Sequence, residues 1–187
     1  EHVMQFVSVD AWAKQAEYIR FGLDFNRMWD NVDEFLERIP QRNSVTFIIT
    51  YNNLSVVSMR KLLEGILELR KRHSKTYQRV WFDIPLLRQP VWQQITMLPE
   101  AYQQIHKDNI EYMRQNSGEH NGLHIFKDFE IQKMLRNLAY WQKNTDVSTQ
   151  QKKNFYAFFN EHDRRRNTNF LNVFPEMEEF WIECKNA

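Results

Sequence analysis

VTFIITYNN occupies Val45 to Asn53. From Val45 to Thr50 the residues are apolar or β-branched, which favours a strand buried in a sheet. The run then breaks into Thr50, Tyr51, Asn52 and Asn53. A buried strand that ends so abruptly in polar groups either holds a ligand at its tip or turns a corner. Which of the two applies depends on the elements around it.

Upstream, Phe25, Met28, Trp29, Val32, Phe35, Leu36 and Ile39 recur at helical spacing. Asp24 is the expected N-cap and Pro40 the stop. Before that, Val3 to Val9 is rich in Val and Phe and reads as a strand closing on Ser8-Val9-Asp10. Downstream, a helix is expected from about Ser55 to His73, with Leu62, Leu63, Ile66 and Leu67 as its buried stripe. Arg70, Lys71 and Arg72 stand at its end, where the helix dipole favours cations. RVWFDIP, Arg79 to Pro85, reads as a third strand. The order β, α, β, α, β predicts parallel pairing through right-handed crossovers.

The remainder turns helical. Ala101 to Met113 is one helix. Phe129 to Trp141 marks a second, Phe155 to Phe159 a third, and Met177 to Cys184 a short last one. NSGEHNG, Asn116 to Gly122, is a polar loop. In parallel α/β units, ligands bind beyond the carboxyl ends of the strands. That rule selects Ser8 with Asp10, Thr50 to Asn53, and Asp83 with the PLLR after it.

Composition bounds the chemistry. The chain has 187 residues and 42% hydrophobic residues, enough for one core. A formal net charge of +1 argues against a nucleic-acid or membrane surface. No apolar run reaches the length of a membrane helix, and EHVMQFVSVD lacks the pattern of a signal peptide. Cys184 is the single cysteine, so the chain forms no internal disulfide and builds no multi-cysteine metal site. The four glycines do not cluster into a phosphate loop. A cytoplasmic location is expected.

Several segments together resemble the radical S-adenosylmethionine (SAM) enzymes. VSVDAWAKQAEYIRFGLDFNRMWDNVDEFL is similar to the segment that begins at their fourth barrel strand. VTFIITYNNLSVVSMRKLLEGILEL is similar to the next strand, turn and helix. RVWFDIPLLRQPVWQQITMLP is similar to the sixth strand and its exit. FFNEHDRRRNTNFLNVFPEMEEFW resembles the tail of members with a twitch or SPASM-like region.

The resemblance implies an α/β fold, the C-terminal half of a partial (β/α)6 barrel in residues 1–98. A helical C-terminal extension packed on it spans 99–187. It implies that Ser8 and Arg20 contact the amino-acid end of SAM, Thr50 and Asn52 its ribose hydroxyls or carboxylate, and Leu86, with Pro85 and Leu87, its adenine. Asp10, Tyr51, Asn53, Asp83 and Arg88 would face the substrate. A guanidinium can grip a carboxylate through two parallel hydrogen bonds. A surface ion pair with Glu17 or Asp24 is the alternative for Arg20.

The family's [4Fe–4S] cluster needs three clustered cysteines, which this chain lacks, as it lacks the glycine-rich stretch that meets the SAM amino group. The sequence starts without an initiator Met, almost inside a strand. It is therefore expected to be a C-terminal portion, inactive alone, whose partner is the missing N-terminal half or another chain. Self-association through an open sheet edge is also expected. Two further readings stand beside it. One is a non-catalytic binding or assembly module that completes its sheet with a partner. The other is a SAM-independent enzyme using Asp10 and Asp83 as paired carboxylates.

Weaker signals have ordinary readings. His120 and His124 are spaced for a metal, but Asn121 and Gly122 favour a loop. Asp163 to Arg166 can meet phosphate or form a solvated helix end. Trp12 and Trp29 can line a cavity, but Trp29 lies on the apolar stripe. Cys184 is expected to be a buried, inert thiol.

Overall fold

A computed structural model describes residues 2–118 and 122–187. The chain is α/β, with one open sheet of three parallel strands in the order β1-β2-β3. The strands are β1 (Met4–Ser8), β2 (Ser44–Ile48) and β3 (Val80–Asp83). Between β1 and β2 run α1 (Ala13–Ile19) and α2 (Phe25–Arg38), and α3 (Met59–His73) joins β2 to β3. The C-terminal part carries α4 (Ala101–Gln115), α5 (Asp128–Lys143), α6 (Thr149–Arg166), α7 (Phe170–Val173) and α8 (Glu178–Asn186).

The strand over Val45 is shorter than its apolar run. It spans Ser44–Ile48, and the third spans Val80–Asp83. Ile49 N still donates to Asp83 O at 2.8 Å, and Tyr51 bridges to Leu86 in parallel. Pairing therefore continues past the regular ladder. The expected helix from Ser55 starts as a 3-10 turn at Val56–Ser58 before α3. Asp24 caps α2 by accepting from Arg27 N at 3.0 Å. Helices α1 and α7 were not legible, because seven and four residues are too few to show a period. The turn from α1 into α2 passes through Gly22 at φ 85°, the left-handed region that side chains disfavour.

One face of the sheet is covered. Val45, Phe47, Val80 and Phe82 are buried there. Trp29 of α2 stacks on Phe47 with centroids 5.3 Å apart, and Trp12 meets Trp29 and Phe25 edge-on. Both tryptophans are half-buried and pack against the core. Residues in register share a face. On the opposite face lie Met4, Phe6 and Ser8, which are exposed, and Thr46, Ile48, Trp81 and Asp83, which are half-buried. That second face is uncovered along β1.

Two buried arginines fix the frame. Arg70, read as one of the cations that favour the helix end, is fully buried and bonds Glu130 of α5 bidentately at 2.5 and 3.1 Å. Its helix turns that side inward, and Glu130, also fully buried, neutralises it. Arg79 donates to Leu36 O at 2.7 Å and Asn43 O at 2.9 Å. Its other nitrogens reach Ile39 O and Pro40 O, so it satisfies carbonyls at the end of α2. Among the described residues no helix is long and apolar enough to cross a membrane.

Candidate functional site

The carboxyl ends of the three strands come together at one edge. Ser8, Ile48 and Asp83 share one row of the sheet, on the uncovered face. Ser8 and Asp83 are therefore two strand spacings apart, about 10 Å. Ser8 is exposed, and its hydroxyl has no hydrogen-bond partner among the described residues.

Beyond that row, Asp10 ties the strand ends together. It is buried, and its Oδ1 accepts from Thr50 N at 2.9 Å. Its Oδ2 accepts from Arg20 Nε at 2.8 Å. Arg20 therefore pairs with neither Glu17 nor Asp24. Glu17 takes Lys14 at 2.9 Å, and Asp24 is occupied as the α2 cap. The Arg20 side chain is 37% exposed, and neither Nη nitrogen bonds a described residue. One edge of a planar guanidinium is thus anchored while its outer nitrogens stay available for an anion.

The polar tip of the opening stretch divides into different roles. Thr50 is half-buried. Asn52 closes its own turn: its Oδ1 accepts from Leu54 N at 2.9 Å and Ser55 N at 3.2 Å, and its Nδ2 donates to Thr50 O at 2.9 Å. Tyr51 is fully buried and its hydroxyl meets His106 Nδ1 at 2.7 Å. Burial pushes the Tyr51 phenol well above its ordinary range and brings the His106 imidazole down to about 4. Asn53 is also fully buried, with Nδ2 donating to Trp92 O at 3.1 Å. Tyr51 and Asn53 thus face the core, away from the open face.

The sixth-strand segment is held by Tyr51. Tyr51 N donates to Pro85 O at 2.7 Å and Leu87 N to Tyr51 O at 2.9 Å, with half-buried Leu86 between. Asp83 pairs with Lys133 of α5 at 2.7 Å. Burial pushes its carboxyl up, but the Lys133 hydrogen bond and charge, with the Ile84 N–H, outweigh that and hold it below the usual carboxylate range. Arg88 is exposed and lies over the Tyr140 ring at 4.4 Å. Asp10 and Asp83 each keep a cation of their own rather than facing one another.

Several partners were missed. His106 sits with Gln103, Ile110 and Met113 on the buried side of α4, a spacing that marks a core histidine. Lys133 carries no comparable local signal. His124 is exposed and meets Ser74 O at 2.7 Å. His120, its companion in the metal reading, lies outside the described residues. Among the described residues no three His, Cys, Asp or Glu side chains converge to hold a metal. In the Asp163 to Arg166 run, Arg164 and Arg165 pair with Glu161, and Asp163 accepts from Tyr18 OH and Phe170 N. Cys184 is buried, and burial pushes its thiol up to about 12. A scan against protein-family models, a search of curated proteins and a search of solved structures each give no match.

Proposed function

We propose that this chain is the C-terminal half of the partial barrel of a radical SAM enzyme, supplying one side of the SAM and substrate cleft. The supporting observation is the row of Ser8, Ile48 and Asp83 at the carboxyl ends of parallel strands, on a sheet face that is uncovered along β1 while α5 reaches it at Trp81 and Asp83. In a closed or half-closed barrel that face is the interior, and ligands gather at its carboxyl rim. The ordered resemblance of the segments supplies the family.

The residues present fit SAM at its amino-acid end. Arg20, oriented by Asp10, would hold the carboxylate through its outer nitrogens, and the free Ser8 hydroxyl would add a contact. Leu86, pinned to Tyr51, would lie against the adenine, with the Thr50 hydroxyl near the ribose. Asn52 would act by fixing the turn that carries Thr50, since its amide is engaged there. Asp83 and Arg88 would face the substrate directly. Asp10 would act through Arg20, and Tyr51 and Asn53 would support from the core.

Bound beside a reduced [4Fe–4S] cluster, SAM would supply hydrogen-abstraction chemistry: one electron from the cluster would break its S–C5′ bond, leaving methionine and a 5′-deoxyadenosyl radical. The residues here do not fit the cluster itself, because the single thiol is buried on α8. The cluster segment would come from a partner or from another part of the same protein, working in the cytoplasm.

The test is anaerobic expression of the gene product that carries this chain, reconstitution with iron and sulfide, and an assay for 5′-deoxyadenosine after adding SAM and dithionite as reductant. The nucleoside should form and should fall at least about tenfold with Arg20→Ala, the loss of a charged hydrogen bond. A reconstituted product that forms none refutes the reading. The open β1 edge favours a second reading, a non-catalytic module that completes its sheet with a partner. That reading gains if the product binds a partner but takes up no iron.

A further inference from the structure

The helical C-terminal part holds a second recess, built without any residue of the proposed SAM cleft. A cavity of about 650 Å³ opens where the start of α4, the chain between α5 and α6, and the facing sides of α6 and α8 meet. The described residues that line it all come from Thr96 onward. Its volume falls within the range of small-molecule sites, about 300–1,000 Å³.

Gln103 forms part of its wall. The residue is 4% exposed and sits on the buried side of α4. Its side-chain amide hydrogen-bonds no other described residue. Unlike Asn53 Oδ1 and Asn109 Nδ2, its polar atoms are not sealed inside the protein. The access they keep is into the cavity that Gln103 lines. One turn on, His106 shows the ordinary outcome for this side of α4, with a partner for each ring nitrogen. A glutamine amide carries two N–H donors and a carbonyl acceptor. When no protein group serves a buried amide, its partner comes from the adjoining space.

The charges around Gln103 are unbalanced. Glu100, Asp146 and Glu183 bring carboxylates to the cavity, against the single ammonium of Lys152. Lys152 Nζ pairs with Glu183 at 2.6 Å. Glu100 and Asp146 pair with no cation among the described residues. The positive ends of α4 and α6 lie near these two, but each helix end offsets only about half a charge. A negative excess therefore remains. Tyr102 of α4 feels the same field: burial first, then Glu179, Glu176 and Glu183, push its phenol up to about 12. Among the described residues these carboxylates do not converge as a metal ion would need. They suit an extended organic cation instead. Leu98 and Val147 add apolar wall beside them.

We propose that this cavity binds a small aliphatic diamine. One ammonium group donates to the Gln103 carbonyl, the carboxylates of Glu100 and Asp146 balance the charge, and the methylene chain lies against Leu98 and Val147. Two carboxylates without a cation call for two ammonium groups, and a hydrocarbon spacer joins them at little cost in desolvation. The site is separate from the strand ends. Its occupation requires neither iron nor SAM, so its failure leaves the proposed radical chemistry standing, and the failure of that chemistry leaves this site standing.

The probe is putrescine, titrated calorimetrically into the gene product that carries this chain. It should bind at one site per chain, with a dissociation constant on the order of 1 mM or tighter. Gln103→Met keeps the length of the side chain and removes its amide, and should weaken binding about tenfold. Asp146→Asn changes an exposed residue outside the core and should weaken it about threefold. Glu178→Gln, exposed on α8 but not lining the cavity, should leave it unchanged. Tetramethylammonium, a cation without N–H donors, should bind at least about tenfold more weakly than putrescine. Absence of binding, indifference to either Gln103→Met or Asp146→Asn, equal weakening by Glu178→Gln, or tetramethylammonium binding as tightly would each overturn the proposal.

Discussion

Acid should destabilise this fold through one buried imidazole. His106 is fully buried, with Nε2 2.9 Å from Met134 O and Nδ1 2.7 Å from the Tyr51 hydroxyl. A carbonyl only accepts, so Nε2 carries the proton and Nδ1 accepts from Tyr51. Protonation would place a second N–H against that hydroxyl and a charge in the core. Burial lowers the imidazole from 6.5 to about 4, opposed only by the Met134 carbonyl. The unfolded chain therefore binds this proton near 6.5, whereas the folded chain resists it until about 4. Between those values the unfolded state holds more protons, so stability falls as pH drops through the window. The full loss is about 3 kcal/mol, reached at the acid end.

Urea unfolding between about pH 7 and about pH 4.5 measures this, with His106→Gln as the reference. A glutamine can donate to Met134 O and accept from Tyr51, but it does not titrate. The variant should lose a kcal/mol or so at neutral pH, from imperfect geometry, and show a visibly flatter pH dependence. His162, also lowered by burial, is common to both proteins and cancels in the comparison. An unchanged slope in His106→Gln would refute the assignment of the proton.

Three further outcomes follow from the same packing. A Cβ on Gly65 would collide with the Trp12 ring and stand 2.9 Å from Trp29 Cζ2, so Gly65→Ala should cost about 1–3 kcal/mol, read as a lower melting temperature. Glu130→Met or Arg70→Met should each cost about 3–5 kcal/mol by stranding a buried charge, while the double change to Met at both sites should recover much of it in a double-mutant cycle. Arg20→Ala should cost on the order of 1–3 kcal/mol of stability, because buried Asp10 is left with only the Thr50 N–H, although the arginine side of the pair is more than a third exposed. Any loss of SAM affinity in that variant can then be measured on a folded protein by calorimetry.

The strand-helix alternation of the first half was legible because each element carries its own period. Phe25 to Ile39 repeats at helical spacing, and Val45 to Ile49 is unbroken apolar or β-branched chain, whatever lies around them. Capping at Asp24 is equally local, involving Arg27 three residues on. The parallel pairing then followed from connectivity, whereas the order β1-β2-β3 came from the structure. The shared row of Ser8 and Asp83 needed the register as well, which apolar patterning alone does not set.

The fates of individual polar residues were not legible. Thr50, Tyr51, Asn52 and Asn53 look alike as a polar tip, yet one is half-buried, two face the core and one closes a turn. Tyr51 meets its partner 55 positions away, and Arg70 meets Glu130 60 positions away. Arg20 chose Asp10 over the nearer Glu17 and Asp24 because the end of β1 brings that carboxylate to it. Backbone sterics and hydrophobic period act within a few residues, so sequence reports them directly. Whether a polar side chain binds a ligand or braces the core depends on groups delivered by distant elements, and only folding in three dimensions decides what those are.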